Sequence, residues 1–181
     1  LRNQGFFQDA LERDTVLNQS QACVNDQVVI NGERFPCHEI DFLSFLSLTD
    51  LEIEDPPHGD LGISSADIWG WLTPTGREFT LLAMDNGQAV VDTTDPVNPC
   101  IIAKLPTRRV VDKWADNKVY ENTLYHVKDT GFRDGPSGTG NYGIEVYDLL
   151  PMDQLNCHVK GYVPLNMYPN FVFEGHGRSH N

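Results

Sequence analysis

The sequence is short of positive charge. Its 181 residues hold 13 Lys and Arg against 26 Asp and Glu, so the formal net charge is −13 at pH 7. A protein that binds nucleic acid through the phosphates needs a basic face, and this balance therefore argues against such a partner. The acidic excess is concentrated at one end: residues 1–60 contain 12 acids and 3 bases, and residues 61–181 contain 14 acids and 10 bases.

Long apolar runs and the motifs of common enzymes are missing too. No stretch approaches the ~18 apolar residues of a membrane helix, so no transmembrane segment is expected in this chain. Ser137 lacks a nucleophile-elbow context, and His176 and His180 lack the intervening Glu of a zincin. The hydrophobic share of 40% and the charged share of 22% are typical of a folded domain and exclude wholesale disorder.

Cysteines are few, and two of them lie at a spacing that suits a disulfide. Cys23 and Cys37 flank a turn-rich stretch, and a bond between them would close a loop of about 15 residues and contribute roughly 3 kcal/mol. Two separate thiols are the alternative, whereas zinc is disfavoured because no second Cys or His pair lies at ligand spacing. Asn18 begins a glycosylation sequon. Together these features indicate an oxidising, extracellular setting at the cell surface or beyond it.

The chain changes character near Gly59–Gly62, which divides it into an acidic N-terminal extension (1–62) and a strand-rich part (63–181). In the extension, apolar spacing predicts a short helix over Gly5–Thr15 and a helical turn over Phe42–Leu48. Acidic side chains crowd its end, as a solvated surface or as a cation-binding segment without a recognised loop spacing. These acids are Asp50, Glu52, Glu54, Asp55 and Asp60.

Short strands and turns alternate from residue 63 onwards, and Asn86-Gly87 is a hairpin signal. The first four predicted strands are Ser64–Leu72, Arg77–Met84, Gln88–Thr93 and Cys100–Leu105. The same order then recurs as Lys113–Glu121, Thr123–Asp129, Tyr142–Leu149 and Cys157–Pro164. A glycine-rich insert, 130–141, interrupts the second set and is predicted to be a flexible loop.

The two sets are copies of one repeat. Trp114-Ala115-Asp116 echoes Ser65-Ala66-Asp67, and the segment that ends at Asp148 echoes the one that ends at Asp92. Four strands per 40–50 residues is the period of a β-propeller blade. The sequence thus predicts an all-β protein with two β-propeller-like four-stranded blades, the start of a third at Arg178–Asn181, and a disulfide-tied, partly helical N-terminal extension. A small antiparallel sandwich is the alternative.

An incomplete propeller leaves open edges, so further blades or protein partners are expected to cover them. The repeat also bears on the remaining cysteines. Cys100 and Cys157 take nearly equivalent positions at the start of the outermost strands of adjacent blades. Outer strands splay apart, while a disulfide needs Cα atoms within about 7 Å. The two residues are therefore expected not to be bonded to each other.

Several segments resemble a known family. Residues Gly87–Pro99 resemble the LVIVD repeat of surface proteins, and the wider pattern resembles the choice-of-anchor B family. The family's N-terminal run is matched by Cys23, Gly32, Phe35-Pro36-Cys37 and Ile40–Leu43. Its later runs are matched by Asp67–Trp71, Thr75–Glu78 and Trp114–Tyr120, and in part by Gly177, Ser179, His180 and Asn181. The resemblance covers residues 23–181 and implies a secreted or surface-anchored β-propeller, with no reaction attached.

Asp67, Asp116 and His180 occupy equivalent places in the three repeats. If the first strand of each blade lines a central channel, the three side chains converge and bind a cation. Carboxylates favour Ca²⁺, and the His shifts the preference toward a transition metal. The alternative is structural, with an Asp that holds the backbone N–H groups of the neighbouring blade. For Trp69, Trp71 and Trp114, packing between blades is favoured over a sugar-binding platform.

These patterns favour a secreted or cell-surface, non-enzymatic module for adhesion or extracellular protein assembly. No catalytic residue is identified. The alternative is an extracellular metal-dependent hydrolase with its site at the channel mouth and its metal on Asp67, Asp116 and His180.

Overall fold

The computed structural model describes residues 20–30, 32–54, 63–107, 114–129 and 143–175, and they are mostly β-structure. The strands are β1 (Gln27–Ile30), β2 (Glu33–Pro36), β3 (Ser65–Leu72), β4 (Glu78–Met84), β5 (Gly87–Asp92), β6 (Cys100–Pro106), β7 (Ala115–Tyr120), β8 (Thr123–Lys128), β9 (Ile144–Asp148), β10 (Leu165–Asn166) and β11 (Phe171–Phe173). The short helices are α1 (Leu48–Leu51) and α2 (Leu150–Asp153). Neither has the length or the apolar character needed to cross a membrane.

The first sheet is an antiparallel meander in which β3, β4, β5 and β6 follow one another in space as in sequence. The predicted strands are confirmed here to within two residues at most of their ends. A turn at Asp85 and Asn86 joins β4 to β5, so the predicted hairpin is confirmed with Gly87 as the first residue of β5. At the turn before β4, the Thr73 hydroxyl accepts the Arg77 N–H at 3.0 Å.

The second sheet repeats the meander with β7, β8 and β9, but its fourth strand comes from elsewhere. Residues Cys157–Pro164 form turns, so the strand predicted there is wrong. The chain instead crosses back to the first sheet, where β10 pairs in parallel with β6, and then returns to the second sheet as β11 beside β9. We call residues 154–166 the return segment.

The return segment also accounts for the cysteines. Cys100 and Cys157 form a disulfide with Cα atoms 6.0 Å apart, so the expectation that they are not bonded to each other is wrong. That expectation assumed equivalent outer strands in adjacent blades, whereas Cys157 lies on a segment that crosses to β6. The predicted bond between Cys23 and Cys37 is confirmed, with Cα atoms 5.9 Å apart.

Three apolar clusters form the described core. The largest lies between the two sheets and consists of Trp71, Phe79, Leu81, Val90, Ile102, Ala103, Leu105, Leu124, Tyr147, Leu149 and Met152. A second joins the opposite face of the first sheet to Leu51 and Ile53, and a third lies within the β1–β2 hairpin. Because the first sheet is covered on both faces, all six residues of β5 are buried.

The N-terminal extension is helical at a later point than predicted. Phe42 forms a bridge with Gln21, and the helical turn starts only after Ser47, whose hydroxyl accepts the Asp50 N–H at 3.1 Å. The Ser47 N–H in turn donates to the Asp50 carboxylate at 3.0 Å, so Ser47 and Asp50 form a capping box at the start of α1. Other predictions lie outside the described residues: the helix over Gly5–Thr15, Asn18, Asp55, Asp60, the insert 130–141, His176, His180 and the third repeat.

Candidate functional site

Asp67 links the two sheets where their first strands meet. One carboxylate oxygen accepts the Asn117 backbone N–H at 2.9 Å, and the Lys118 ammonium lies 3.7 Å from the same oxygen. That ammonium also lies 4.2 Å from the centre of the Trp69 ring. The side chain thus performs the structural task that the sequence offered as the alternative to ion binding.

Asp116 neighbours this contact on β7, and its backbone hydrogen-bonds to the His126 side chain. His180, the third residue of the predicted cation site, lies outside the described residues. Within the described ranges, Asp67 and Asp116 belong to no cluster of three or more metal-ligating side chains. Ion binding by Asp67, Asp116 and His180 therefore stays a prediction.

A buried polar row crosses the second sheet on the face that meets the first. Asn117, His126 and Glu145 are register partners on β7, β8 and β9, and all three are fully buried. The His126 ring lies 3.1 Å from the Asn117 side-chain oxygen. Burial, followed by the charge of the buried Lys128, lowers the pKa of His126 well below its ordinary value. The ring is therefore neutral at pH 7.

The first sheet supplies partners for this row. Thr107, directly after β6, donates its hydroxyl to Glu145 at 3.0 Å, and the Tyr147 hydroxyl of β9 donates to the Pro106 carbonyl of β6 at 3.2 Å. The Lys128 ammonium donates to the Asp85 backbone carbonyl at 2.6 Å. These bonds fix the alignment of the two sheets. A shift of one sheet along the strands would leave buried charged groups without hydrogen-bond partners.

Two side chains in this layer, Gln88 and Asn117, have polar atoms without a hydrogen-bond partner among the described residues. Within those residues, the fully buried Gln88 side chain has no partner for either amide atom, and Asn117 has none for its side-chain nitrogen. The sequence pattern did not predict this layer. The available signal was the comparison of the repeats, since the positions of His126 and Glu145 are held by Leu82 and Ala89 in the first one.

A second polar network ties the first sheet to α2 at what we call the outer rim, the edge of the sheet where β4 begins and β5 ends. The Arg77 guanidinium donates to the Asp92 carboxylate and, at 2.8 Å each, to the carbonyls of Asp153 and Leu155. Burial alone would raise the pKa of Asp92, but hydrogen bonds from Thr94 and the contact with Arg77 outweigh it, so this pKa lies below the ordinary value. The Thr75–Glu78 run thus has a structural role here.

The tryptophans divide by exposure. Trp71 is 3% exposed, packs edge-to-face on Phe79 with ring centres 5.3 Å apart, and donates to the Asn122 side chain across the sheets. Its predicted role in packing between repeats fits these contacts. Trp69 and Trp114 are exposed, and the Trp69 ring contacts the Lys118 ammonium; packing of these two residues between repeats stays a prediction.

Replacing Asp67 with Ala is expected to lower the free energy of unfolding by about 1–2 kcal/mol, because the Asn117 N–H would lose its acceptor. Urea denaturation measures this loss. Asp67→Asn is the control: it removes the charge near Lys118 but keeps an acceptor oxygen, so it should cost less than half as much. Equal losses in the two variants would show that the charge, and not the hydrogen bond, carries the effect.

The comparisons with known proteins add no relative. No family model, no curated protein and no solved structure matches the chain.

Proposed function

We propose that this chain is a secreted or cell-surface, non-enzymatic module whose sheets stack as β-propeller-like blades and whose role is protein assembly. One observation carries the proposal: within the described residues, a face that is buried in the first repeat is partly exposed in the second. The resemblance to the choice-of-anchor B family favours the same function. The two disulfides fit an extracellular setting.

The two faces can be compared row by row. In the first sheet, Leu81, Val90 and Ala103 are register partners on β4, β5 and β6, and all are fully buried against the second sheet. In the second sheet, the corresponding row on β8, β9 and β11 consists of Tyr125, Val146 and Phe171. We call these three residues the outer row. Tyr125 is 38% exposed and Phe171 58%.

The occupant that fits the outer row is a further copy of the repeat. The first sheet's row is covered by Leu124 and Tyr147 of the next repeat, and by repetition a third copy would cover the outer row in the same way. The far face of the first sheet is already covered by Leu51 and Ile53 of the N-terminal extension, so among the described residues the outer row is the face left for a further repeat.

The hydrolase alternative gains no support from a specific contact. Asp67 is engaged with the Asn117 N–H, and no described side-chain cluster places a metal ion beside it. The assembly proposal is therefore the one to test first.

Sedimentation of the 181-residue chain tests the proposal. In this experiment a second copy of the chain takes the place of the next repeat on the outer row. We expect concentration-dependent association, and we expect the double variant Tyr125→Lys with Phe171→Lys to weaken it by about 100-fold or more, because two charges would enter an apolar contact. Val159→Lys with Val163→Lys is the control, since these exposed side chains lie in the return segment. A chain that stays monomeric at every concentration, or equal effects of both pairs, would contradict the proposal.

A further inference from the structure

The donor cluster at the outer rim of the first sheet goes beyond the proposed function. Each of Asp92, Cys100, Cys157 and His158 offers a ligand atom, and the four atoms lie within 4.8 Å of one another. Among the described residues, no other cluster of three or more such side chains is found. The cluster joins β5 and β6 to the return segment.

The donor set matches one class of metal. Two thiolates, an imidazole and a carboxylate are ligands that zinc takes in tetrahedral sites, whereas Ca²⁺ takes oxygen ligands. With Zn–S near 2.3 Å and Zn–N near 2.1 Å, a sulfur and a nitrogen on one tetrahedral zinc lie about 3.6 Å apart. The Cys100 sulfur and the His158 Nε2 are 3.4 Å apart, so these two atoms already have the separation that zinc requires.

The sulfurs are joined in a disulfide, and a disulfide does not supply thiolates. We propose that the reduced form of this cluster binds one zinc ion through Cys100, Cys157 and His158, with Asp92 as the fourth ligand. A dithiol gives two electrons to the Cys100–Cys157 bond, which becomes two thiols while the dithiol becomes a disulfide. Zinc then displaces the two thiol protons to solvent.

Burial and neighbouring contacts are compatible with this site. Cys100 and Cys157 are half-buried and His158 is exposed, which leaves an entry path for the ion. Asp92 is buried and is held by the Thr94 N–H at 3.0 Å and by Arg77. A carboxylate offers about four lone-pair sites, so these contacts leave capacity for a metal. The ion would replace the disulfide as the link between β6 and the return segment.

Cobalt and zinc binding to the full chain tests the proposal. After reduction with a phosphine and its removal under anaerobic conditions, we expect one Co²⁺ per chain with thiolate-to-cobalt charge-transfer absorption, displaced by Zn²⁺. The oxidised chain should bind neither ion at this site. His158→Ala should weaken zinc binding by about tenfold or more.

The chain offers a matched control at its other disulfide. His38 follows Cys37 as His158 follows Cys157, but its ring lies 3.1 Å from Asp26 and it belongs to no such cluster. His38→Ala should therefore leave zinc affinity within about twofold. No metal uptake by the reduced chain, or equal losses in the two His variants, would overturn the proposal. So would loss of binding in the double variant Cys23→Ser with Cys37→Ser.

Reduction can also unfold the chain, so near-UV circular dichroism must accompany the titration. If the reduced chain has lost its tertiary signal, zinc should restore it in the wild type and in His38→Ala but not in His158→Ala, because metal binding is then coupled to folding. Failure of zinc to restore the signal in the wild type would count against the site. Failure of the assembly proposal would be separate, since it concerns the outer row on the other sheet.

Discussion

Replacing both Cys100 and Cys157 with Ala is expected to lower the free energy of unfolding by about 4 kcal/mol. The bond spans a sequence separation of 57 residues, and in the chain-entropy model a crosslink over such a loop restricts the unfolded chain by about that amount. The variant also releases the return segment from β6, where the Tyr162 hydroxyl donates to the Ile102 carbonyl at 2.7 Å. Urea denaturation, followed by tryptophan fluorescence to which the buried Trp71 contributes, measures the loss.

The other disulfide provides the comparison. Cys23–Cys37 closes a separation of 14 residues, for which the same model gives about 3 kcal/mol. Its bond lies within the β1–β2 hairpin region, so its removal should affect that hairpin more than the contact between the sheets. Removal of Cys23–Cys37 could lower the urea midpoint of the fluorescence transition more than removal of Cys100–Cys157 does. That result would show that the return segment does not stabilise the main core as the structure indicates.

The first sheet could be predicted closely because its signals are local. A mostly apolar, β-prone run and the Asn86-Gly87 signal predict β4 and β5. The disulfide at Cys23 was predictable for the same reason, since a short turn-rich loop joins its two cysteines. Each of these features depends on residues that are neighbours in sequence.

The return segment and β11 could not be predicted, because their contacts are distant in sequence and their strands are short. Strands β10 and β11 have two and three residues, too few for any alternation to show. The repeat placed Cys157 on an outer strand of the second sheet, and only the crossing to β6 brings it to Cys100. The Asp92–His158 cluster was missed as a consequence.

For the predicted cation site, the sequence could locate the residues but could not assign their role. Repeat logic located Asp67 and Asp116 correctly on the first strands of the two sheets, yet it could not decide between ion binding and a backbone contact. That choice depends on the Asn117 N–H, which lies 50 positions from Asp67. The buried row with His126 and Glu145 was missed because a polar residue on a short strand is ordinarily assigned to the solvent face.

Gly87→Ala is expected to cost about 3 kcal/mol or more in the free energy of unfolding. A Cβ atom at Gly87 would lie 2.3 Å from the Leu105 carbonyl oxygen and 2.8 Å from the Ile53 side chain. The first contact is with the backbone of β6, so relief requires the β5–β6 pairing to open in a layer that is fully buried. The second would push Ile53 from the apolar cluster between the extension and the sheet. Urea denaturation measures the cost.

Gly76, in the turn between β3 and β4, and Gly70, in β3, separate the cost of backbone conformation from the cost of a close contact. Gly76 has a φ of +84° but nothing within 4 Å of its added Cβ, so Gly76→Ala should cost only the ~1–2 kcal/mol of a left-handed residue. Gly70 has neither constraint, and Gly70→Ala should change stability by less than about 0.5 kcal/mol. The expected order is therefore Gly87, then Gly76, then Gly70. If Gly87→Ala lowers the free energy of unfolding no more than Gly76→Ala does, then β6 can shift away from β5 at little cost in free energy.

The same substitution in the second repeat extends the argument to the stacking of repeats. Gly143 corresponds to Gly87, and a Cβ there would lie 2.5 Å from the Phe173 carbonyl oxygen of β11. Both glycines thus let the fourth strand of their sheet approach the start of the third. Since β11 carries Phe171 of the outer row, Gly143→Ala should disturb self-association as well as stability, whereas Gly87→Ala alters a face that is already covered. Unchanged association in a folded Gly143→Ala chain would indicate that Phe171 does not contribute to the docking face.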